Sequence, residues 1–323
     1  MKQGSVLITG AAGFLGSHLC EKLLTEGHHV IGIDNFITGG RQNVDFIKSL
    51  PEANEKWNFI EHDVSTPWPE IKLNKALTHC FHFASPASPP LYQKNPFETI
   101  WANTTGLYNA LTFSHQHNAR LIFASTSEIY GNPSISPQPE SYWGNTNSYG
   151  PRSCYDEAKR LGESIIWSFN QQYGTKHGLV RIFNTYGPRM NPDDGRVIIN
   201  FLVQFLRKTP LTVYGNGHQT RSFCYIDDLI EGVLSYAFTE ICEPVNIGND
   251  FEMKIIDVVE TLKDMFPADT IEVVHSDLPQ DDPLQRRPDL QKAERLLGWR
   301  PKVSLREGLE KMITWLRDDI GIT

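Results

Sequence analysis

The sequence has no apolar run of membrane-spanning length, no low-complexity tract and no short internal repeat. A bilayer-crossing helix needs about 20 consecutive apolar residues, so none is expected. Cysteine is scarce: Cys20, Cys80, Cys154, Cys224 and Cys242 are odd in number, scattered, and never form C-x-x-C. That excludes a disulfide framework and a zinc-ligating pair, and predicts reduced thiols in a cytoplasmic protein with no metal site. Positive charge is also short, at 30 Lys+Arg against 38 Asp+Glu for a net of −8. This speaks against a nucleic-acid partner while leaving room for a local basic pocket. A strand-like run begins within a few residues of Met1, leaving no space for a signal peptide, and no membrane partner is expected. What is present is a globular composition, 40% hydrophobic over 323 residues, enough for one large or two moderate α/β domains.

Ser5–Thr9 is a short, β-prone apolar run of the kind buried in a parallel sheet. Gly10-Ala-Ala-Gly13-Phe14-Leu15-Gly16 follows, then a helical pattern over Ser17–Glu26 stopped by Gly27, then a strand over Val30–Asp34. Strand, glycine turn, helix, strand and acid in this order make a dinucleotide fingerprint. The glycines let the backbone approach a pyrophosphate at the positive end of the helix. Asp34 is placed to bond the adenosine ribose hydroxyls and would repel a 2′-phosphate, so NAD is favoured over NADP; Arg41 nearby is the one residue that tempers this.

The alternation continues with strands at Asn58–Glu61, Cys80–Ala84, Leu121–Ala124 and Leu179–Phe183, and helices at Phe97–His117 and Ser153–Tyr173. Repeated βα units predict an α/β fold, a Rossmann-type doubly wound parallel sheet, with a smaller C-terminal substrate-binding region. Asp63 and Val64 leave one strand end where an adenine edge could be met. Pro86–Pro90 forms a rigid small-residue loop after Ala84-Ser85, at the sheet edge where ligands bind. After Phe183 the rhythm changes: a turn-rich stretch to Arg196, a helix over Val197–Lys208, a strand over Leu211–Tyr214, and one more sheet strand at Val245–Ile247. The domain reading is therefore 1–183 for the cofactor, with a returning segment near 222–248, and 184–221 plus 249–323 for the substrate. Arg189, Arg221, Arg286 and Arg287 stand out in an acidic chain, and arginine forks suit phosphate and carboxylate.

Tyr155 and Lys159 lie four positions apart, on one face of the predicted helix. An ammonium beside a phenol favours phenolate, which makes Tyr155 a candidate general base towards an alcohol.

With the glycine-rich start, this pair resembles the extended short-chain dehydrogenases/reductases that act on nucleotide sugars. A narrower resemblance rests on His82-Phe-Ala-Ser-Pro-Ala-Ser-Pro-Pro90, Pro139-Glu-Ser-Tyr-Trp-Gly144, Gly150-Pro-Arg-Ser-Cys-Tyr-Asp-Glu-Ala-Lys-Arg160, Arg181-Ile-Phe-Asn-Thr-Tyr-Gly-Pro-Arg189, Asp194-Gly-Arg-Val197, Leu211-Thr-Val-Tyr-Gly215 and Gln280-Asp-Asp-Pro-Leu-Gln-Arg-Arg-Pro-Asp289. These segments are similar to the UDP-glucuronate decarboxylases, also called UDP-xylose synthases. Ala158 stands where that family usually has glycine.

The resemblance implies tightly bound NAD, a UDP-sugar substrate and a homodimer formed through a helix bundle that includes Phe97–His117 and Ser153–Tyr173. It assigns Tyr155 as the base at C4, Lys159 as its modulator and a ligand of the nicotinamide ribose, and Thr126 as a partner of the same hydroxyl. Ser127 and Glu128 would orient the sugar and serve proton movement at C5, and Arg286 would serve decarboxylation or reprotonation. Gly10, Gly13, Phe14, Leu15, Gly16, Asp34, Asn35, Asp63, Val64, Ala84, Ser85 and Asn103 would join Tyr155 and Lys159 around the cofactor. Asn184, Arg189, Val197, Tyr214, Gln219, Arg221 and Tyr225 would hold the nucleotide, with Pro86, Ser88 and Arg152 at the uronate end. Related 4,6-dehydratases carry aspartate where Ser127 stands, and without that acid the elimination of water is disfavoured. The residues leave open a UDP-apiose/xylose synthase, a decarboxylase that releases the 4-keto pentose, a dTDP-linked substrate, and, in another class, a non-catalytic dinucleotide sensor.

Overall fold

The computed structural model describes residues 4–318 and 321. Seven parallel strands make the central sheet: β1 Ser5–Thr9, β2 His29–Asp34, β3 Trp57–Glu61, β4 Leu77–His82, β5 Arg120–Thr126, β6 Gly178–Ile182 and β7 Val245–Ile247, in the order β7-β6-β5-β4-β1-β2-β3. The expected doubly wound sheet is present, and Val245–Ile247 does return to it beside β6. The order reverses between β1 and β4, so the loops after these strands diverge and open a crevice at their carboxyl ends.

Successive side chains of β1 point to opposite faces and meet separate cores. Val6 and Ile8 pack with Leu19 and Leu23 of α1 (Phe14–Thr25) and with Leu229 and Val233 of α4 (Ile226–Ala237), while Leu7 joins Leu107, Leu111, Ile166 and Phe169 on the other face. Helix α2 (Ser153–Tyr173) supplies Ile166 and Phe169, and α3 (Val197–Leu206) adds Leu202 to the first core. Leaving strands buried on both faces is what gives their sequences the near-continuous apolar character.

Four segments differ from the sequence expectation. The helix expected over Phe97–His117 is instead Pro96–Trp101, a π turn at Ala102–Gly106 and a helix at Leu107–Gln116. A Cβ on Gly106 would sit 2.8 Å from Val64 Cγ2, so this glycine allows the close crossing. The rigid loop expected over Pro86–Pro90 ends early, because Pro89 and Pro90 start a helix at Pro89–Lys94. Proline suits the first helical position, where no intrahelical N–H bond is needed. Helices at Arg41–Ser49 and at α4 were not expected. No helix among the described residues is long and apolar enough to cross a membrane.

Candidate active site

Two openings meet at the switch point. A narrow cleft of about 60 Å³ is lined by Gly10, Gly13, Asp34, Asn35, Asp63, Val64, Ala84, Ser85 and Pro86. A wider cavity of about 310 Å³ includes Leu15, Ser85, Thr126, Ser127, Glu128, Arg152, Tyr155, Lys159, Asn184, Val197, Tyr214, Gln219 and Arg221 in its lining. Most of the residues read from the sequence, spread over more than two hundred positions, converge on these two spaces.

The turn beside the narrow cleft has the features that suit a dinucleotide's pyrophosphate. Gly10 has φ +75°, and a Cβ there would fall 2.8 Å from backbone atoms of Phe83 and Ala84. A Cβ on Gly16 would fall 2.0 Å from the Gly10 carbonyl oxygen, so that glycine lets α1 start hard against the turn. The first turn of α1 carries no acid and no side-chain cap, leaving its N–H groups and positive dipole end for an anion. Asp34 is buried and accepts hydrogen bonds from the N–H groups of Ala12 (3.0 Å) and Phe36 (2.8 Å), which fix its carboxylate at the cleft. Burial raises its pKa while these N–H groups pull it down. Arg41, which tempered the NAD reading, forks onto Glu61 at 2.9 and 3.1 Å and lies over Phe36. Asn103, in the π turn, donates to Ser85 Oγ and to the Thr99 carbonyl, both at 2.8 Å, so it steadies the cleft from behind. Phe14 caps neither space; its ring lies edge-on to His18 and beneath Arg196.

In the wider cavity, Tyr155 stacks on Tyr92 with ring centroids 5.0 Å apart and planes 6° from parallel. Burial drives its phenol well above the ordinary value, and the Thr126 hydroxyl pulls the other way. The expected pairing with Lys159 takes a different form. Lys159 Nζ donates to the Ala124 carbonyl at 2.7 Å and stands 5.7 Å from the Tyr155 ring centroid, and burial lowers its ammonium to about 7.

At the far end three guanidiniums meet two firmly paired carboxylates. Glu128 Oε2 accepts from Arg152 Nη2 and, at 3.1 Å, from Arg286 Nη2; Asp282 accepts from Arg221 at 2.8 Å and lies 3.5 Å from Arg152. Burial alone would raise the Glu128 carboxyl, but Arg286, Arg152 and Arg221 outweigh it and hold it down to about 2. Glu128 therefore stands ionised.

Besides Phe14, the predicted residues Arg286, Arg189, Tyr225 and Ser88 also lie outside both openings. Arg286 is 1% exposed and does not line the cavity; it touches Glu128 and the Gly131 carbonyl from behind. Arg189, expected on the nucleotide, instead pairs with Glu21 of α1 at 2.6 Å and lies over Phe46. Tyr225 packs edge-on to Tyr186 beneath Lys311, outside both openings. Ser88 is buried at the start of the Pro89 helix, outside both openings.

Arg196, Asp282 and Tyr92 line the cavity and were missed. Arg196 and Asp282 fall inside the segments that carry the resemblance; Tyr92 had no sequence signal, since only folding stacks it on Tyr155. Among the described residues no cluster of three or more His, Cys, Asp or Glu is arranged to hold a metal.

A glycine turn at a sheet switch point, joined to a cavity with a Tyr/Lys pair, defines a nucleotide-dependent oxidoreductase-type fold. The model of the NAD dependent epimerase/dehydratase family matches residues 6–248. "UDP-glucuronic acid decarboxylase 1" of Xenopus tropicalis is 44% identical over 315 residues, covering 98% of this chain and 72% of that protein. "UDP-glucuronic acid decarboxylase 6" of Arabidopsis thaliana is 44% identical over 318 residues, 98% of this chain and 90% of that one. Among solved structures, the UDP-glucuronic acid 4-epimerase of Bacillus cereus in complex with UDP-glucuronic acid and NAD superposes with a TM-score of 0.83 at 28% identity, over 97% of this chain and 99% of that one. The chain belongs to the NAD dependent epimerase/dehydratase family and, within it, to the group of the UDP-glucuronic acid decarboxylases.

Proposed function

We propose that this protein is a carboxy-lyase that converts UDP-glucuronate to UDP-xylose with retained NAD. The observation that carries this reading is the buried charge cluster beside Tyr155, in which Glu128 and Arg152 line the cavity and Arg286 pairs with Glu128 from behind. A neutral sugar calls for no such charge, whereas a uronate does. The 72–90% coverage of the two decarboxylase relatives supports the same substrate.

A sugar carboxylate loses carbon dioxide only if the electron pair left at C5 can be delocalised, and a ketone at C4 provides that. When bound, NAD supplies this chemistry by taking hydride from C4 and later returning it. The residues around the narrow cleft, Gly10, Gly13, Gly16, Asp34, Asn35, Asp63, Val64, Ala84 and Ser85, would hold it, with Asn103 behind them. Tyr155 takes the C4 hydroxyl proton, and the Thr126 hydroxyl fixes the same oxygen. Burial makes the phenolate and the ammonium unfavourable singly, since each charged form is desolvated. Formed together as a Tyr155/Lys159 pair they compensate one another, so the proton transfer is favoured while Lys159 is charged. As carbon dioxide leaves, the same phenol and Thr126 face the developing enolate oxygen.

Glu128, held as an anion, brings no proton of its own to C5. It orients a sugar hydroxyl or a water beside Ser127, with Arg286 keeping it ionised from behind. Asn184, Val197, Tyr214, Gln219 and Arg221 are positioned for the nucleotide, and Pro86 and Arg152 flank the sugar. Residues 1–183 with the returning segment near 222–248 form the NAD side, and 184–221 with 249–323 the sugar-nucleotide side.

Phe97, Trp101, Tyr108, Leu161, Trp167 and Tyr173 are 44–66% exposed on the segments 96–116 and 153–173, a patch suited to pairing with a second copy as a homodimer. The free cysteines support a reducing, cytoplasmic setting.

Incubation with UDP-glucuronate and NAD, followed by NMR of the products, tests the reading. UDP-xylose and released carbon dioxide are expected. Untouched UDP-glucuronate would refute the substrate, and an accumulating 4-keto pentose or an apiose product would replace the final step.

A further inference from the structure

Asp156 follows Tyr155 on α2 and is not part of the sites described above. It is 5% exposed; Oδ2 lies 3.9 Å from Arg152 Nε, and Oδ1 is buried with no hydrogen-bond partner among the described residues. Its neighbours Glu128 and Asp282 each take close ion pairs from the arginines, whereas Asp156 takes none. The cluster therefore holds three guanidiniums, Arg152, Arg221 and Arg286, and three carboxyl groups. If all three carboxyls were ionised the cluster would be neutral and offer a uronate nothing. If Asp156 is protonated, one positive charge is left over, which matches the single negative charge of a sugar carboxylate.

We propose that Asp156 is a positioning residue that selects a carboxylate-bearing sugar: as a neutral acid it leaves one guanidinium charge uncompensated at the cavity, and as a carboxylate it cancels that charge. The inference rests on the UDP-glucuronate reading and deepens it. The groups facing Asp156 fit this role from every side. Glu128 comes from the turn after β5, Tyr92 from the Pro89 helix, and Tyr155, Glu157 and Arg152 from its own helix or the residue before it, with Arg286 from the C-terminal segment. Burial and the Glu128 anion raise the Asp156 carboxyl to about 8, against the pull of Arg152 and Arg286. The group is thus protonated at neutral pH and ionises in the mildly alkaline range.

The test compares binding of UDP-glucuronate and of UDP-glucose to the NAD-loaded protein across pH by calorimetry, alongside KM and kcat for UDP-glucuronate. For a single group titrating near 8, the Kd and KM of the uronate rise up to about tenfold between about pH 7 and 9. The Kd of UDP-glucose, which lacks the carboxylate, stays flat, and Asp156→Asn removes the alkaline rise for the uronate. A flat uronate profile in the wild-type protein, or an identical rise for UDP-glucose, overturns the proposal, even if Asp156→Asn fails to fold. A variant with lowered Tm and an unchanged pH profile assigns Asp156 a structural role only and also overturns it. Failure of the substrate reading is distinguishable, since UDP-glucuronate would then be bound or ignored without any release of carbon dioxide.

Discussion

Replacing Glu128 by glutamine keeps the side chain's shape and removes its charge, and its effect can be worked from the structure. The carboxyl is held from 4.5 down to about 2 by three arginines in a site where its side chain is 18% exposed. A carboxyl with a depressed folded value stabilises the fold above its unfolded value, and that stability is lost as pH falls through the folded one. The depression corresponds to on the order of 3 kcal/mol at neutral pH, with roughly half of it gone by about pH 3. Glu128→Gln is therefore expected to lose on the order of 3 kcal/mol at pH 7, partly offset because Asp156, relieved of the Glu128 anion, ionises more readily beside Arg152. In thermal melts this is a drop of roughly 4–5 °C. The decisive measurement is urea denaturation of wild type and variant across pH, because the deficit must narrow by roughly half as the medium is acidified. A deficit of the same size at acid and neutral pH would mean that the charge of Glu128 does not stabilise the cluster. Turnover should fall by ~10²–10³, as for other preorganised polar groups.

Tyr155→Phe should fold and retain UDP binding while kcat falls on the order of 10²–10⁴; near-normal turnover would remove it as the base. Arg286→Ala should slow carbon dioxide release more than the first hydride step, read from transient NADH absorbance against carbon dioxide released, and equal loss of both would sink its action through Glu128. Gly16→Ala forces a Cβ to within 2.0 Å of the Gly10 carbonyl, so the purified protein should lose its retained NAD by chromatographic assay; full NAD content would show that the turn can relax.

Much of the cofactor half was legible in the chain, and the reason is local. The turn over Gly10–Gly16, the strand ending at Asp34 and the Ala84-Ser85 loop are contiguous segments whose chemistry and geometry are set by neighbours in sequence. Tyr155 and Lys159 were readable for the same reason, because helical periodicity alone puts them on one face. The Thr126-Ser127-Glu128 trio was readable only through resemblance, since a Ser-Glu pair has no local signature of its own.

Other features depend on distant segments. The resemblance assigned Arg189 and Tyr225 to the nucleotide, yet in the fold Arg189 pairs with Glu21 of α1 and Tyr225 packs against Tyr186. Arg286 kept its association with the site but in a different place, behind Glu128.

By itself, the sequence determined the alternation of strands and helices, the dinucleotide turn, the acid that ends the second strand and the Tyr/Lys pair, because each depends on a local stretch of chain. Only the tertiary structure decided which arginines face the cavity, that Glu128 is held ionised, and that Asp156 is left without a close counter-ion. Those outcomes depend on charges brought together from residues 128, 152, 156, 221, 282 and 286, in a buried site where water no longer screens them.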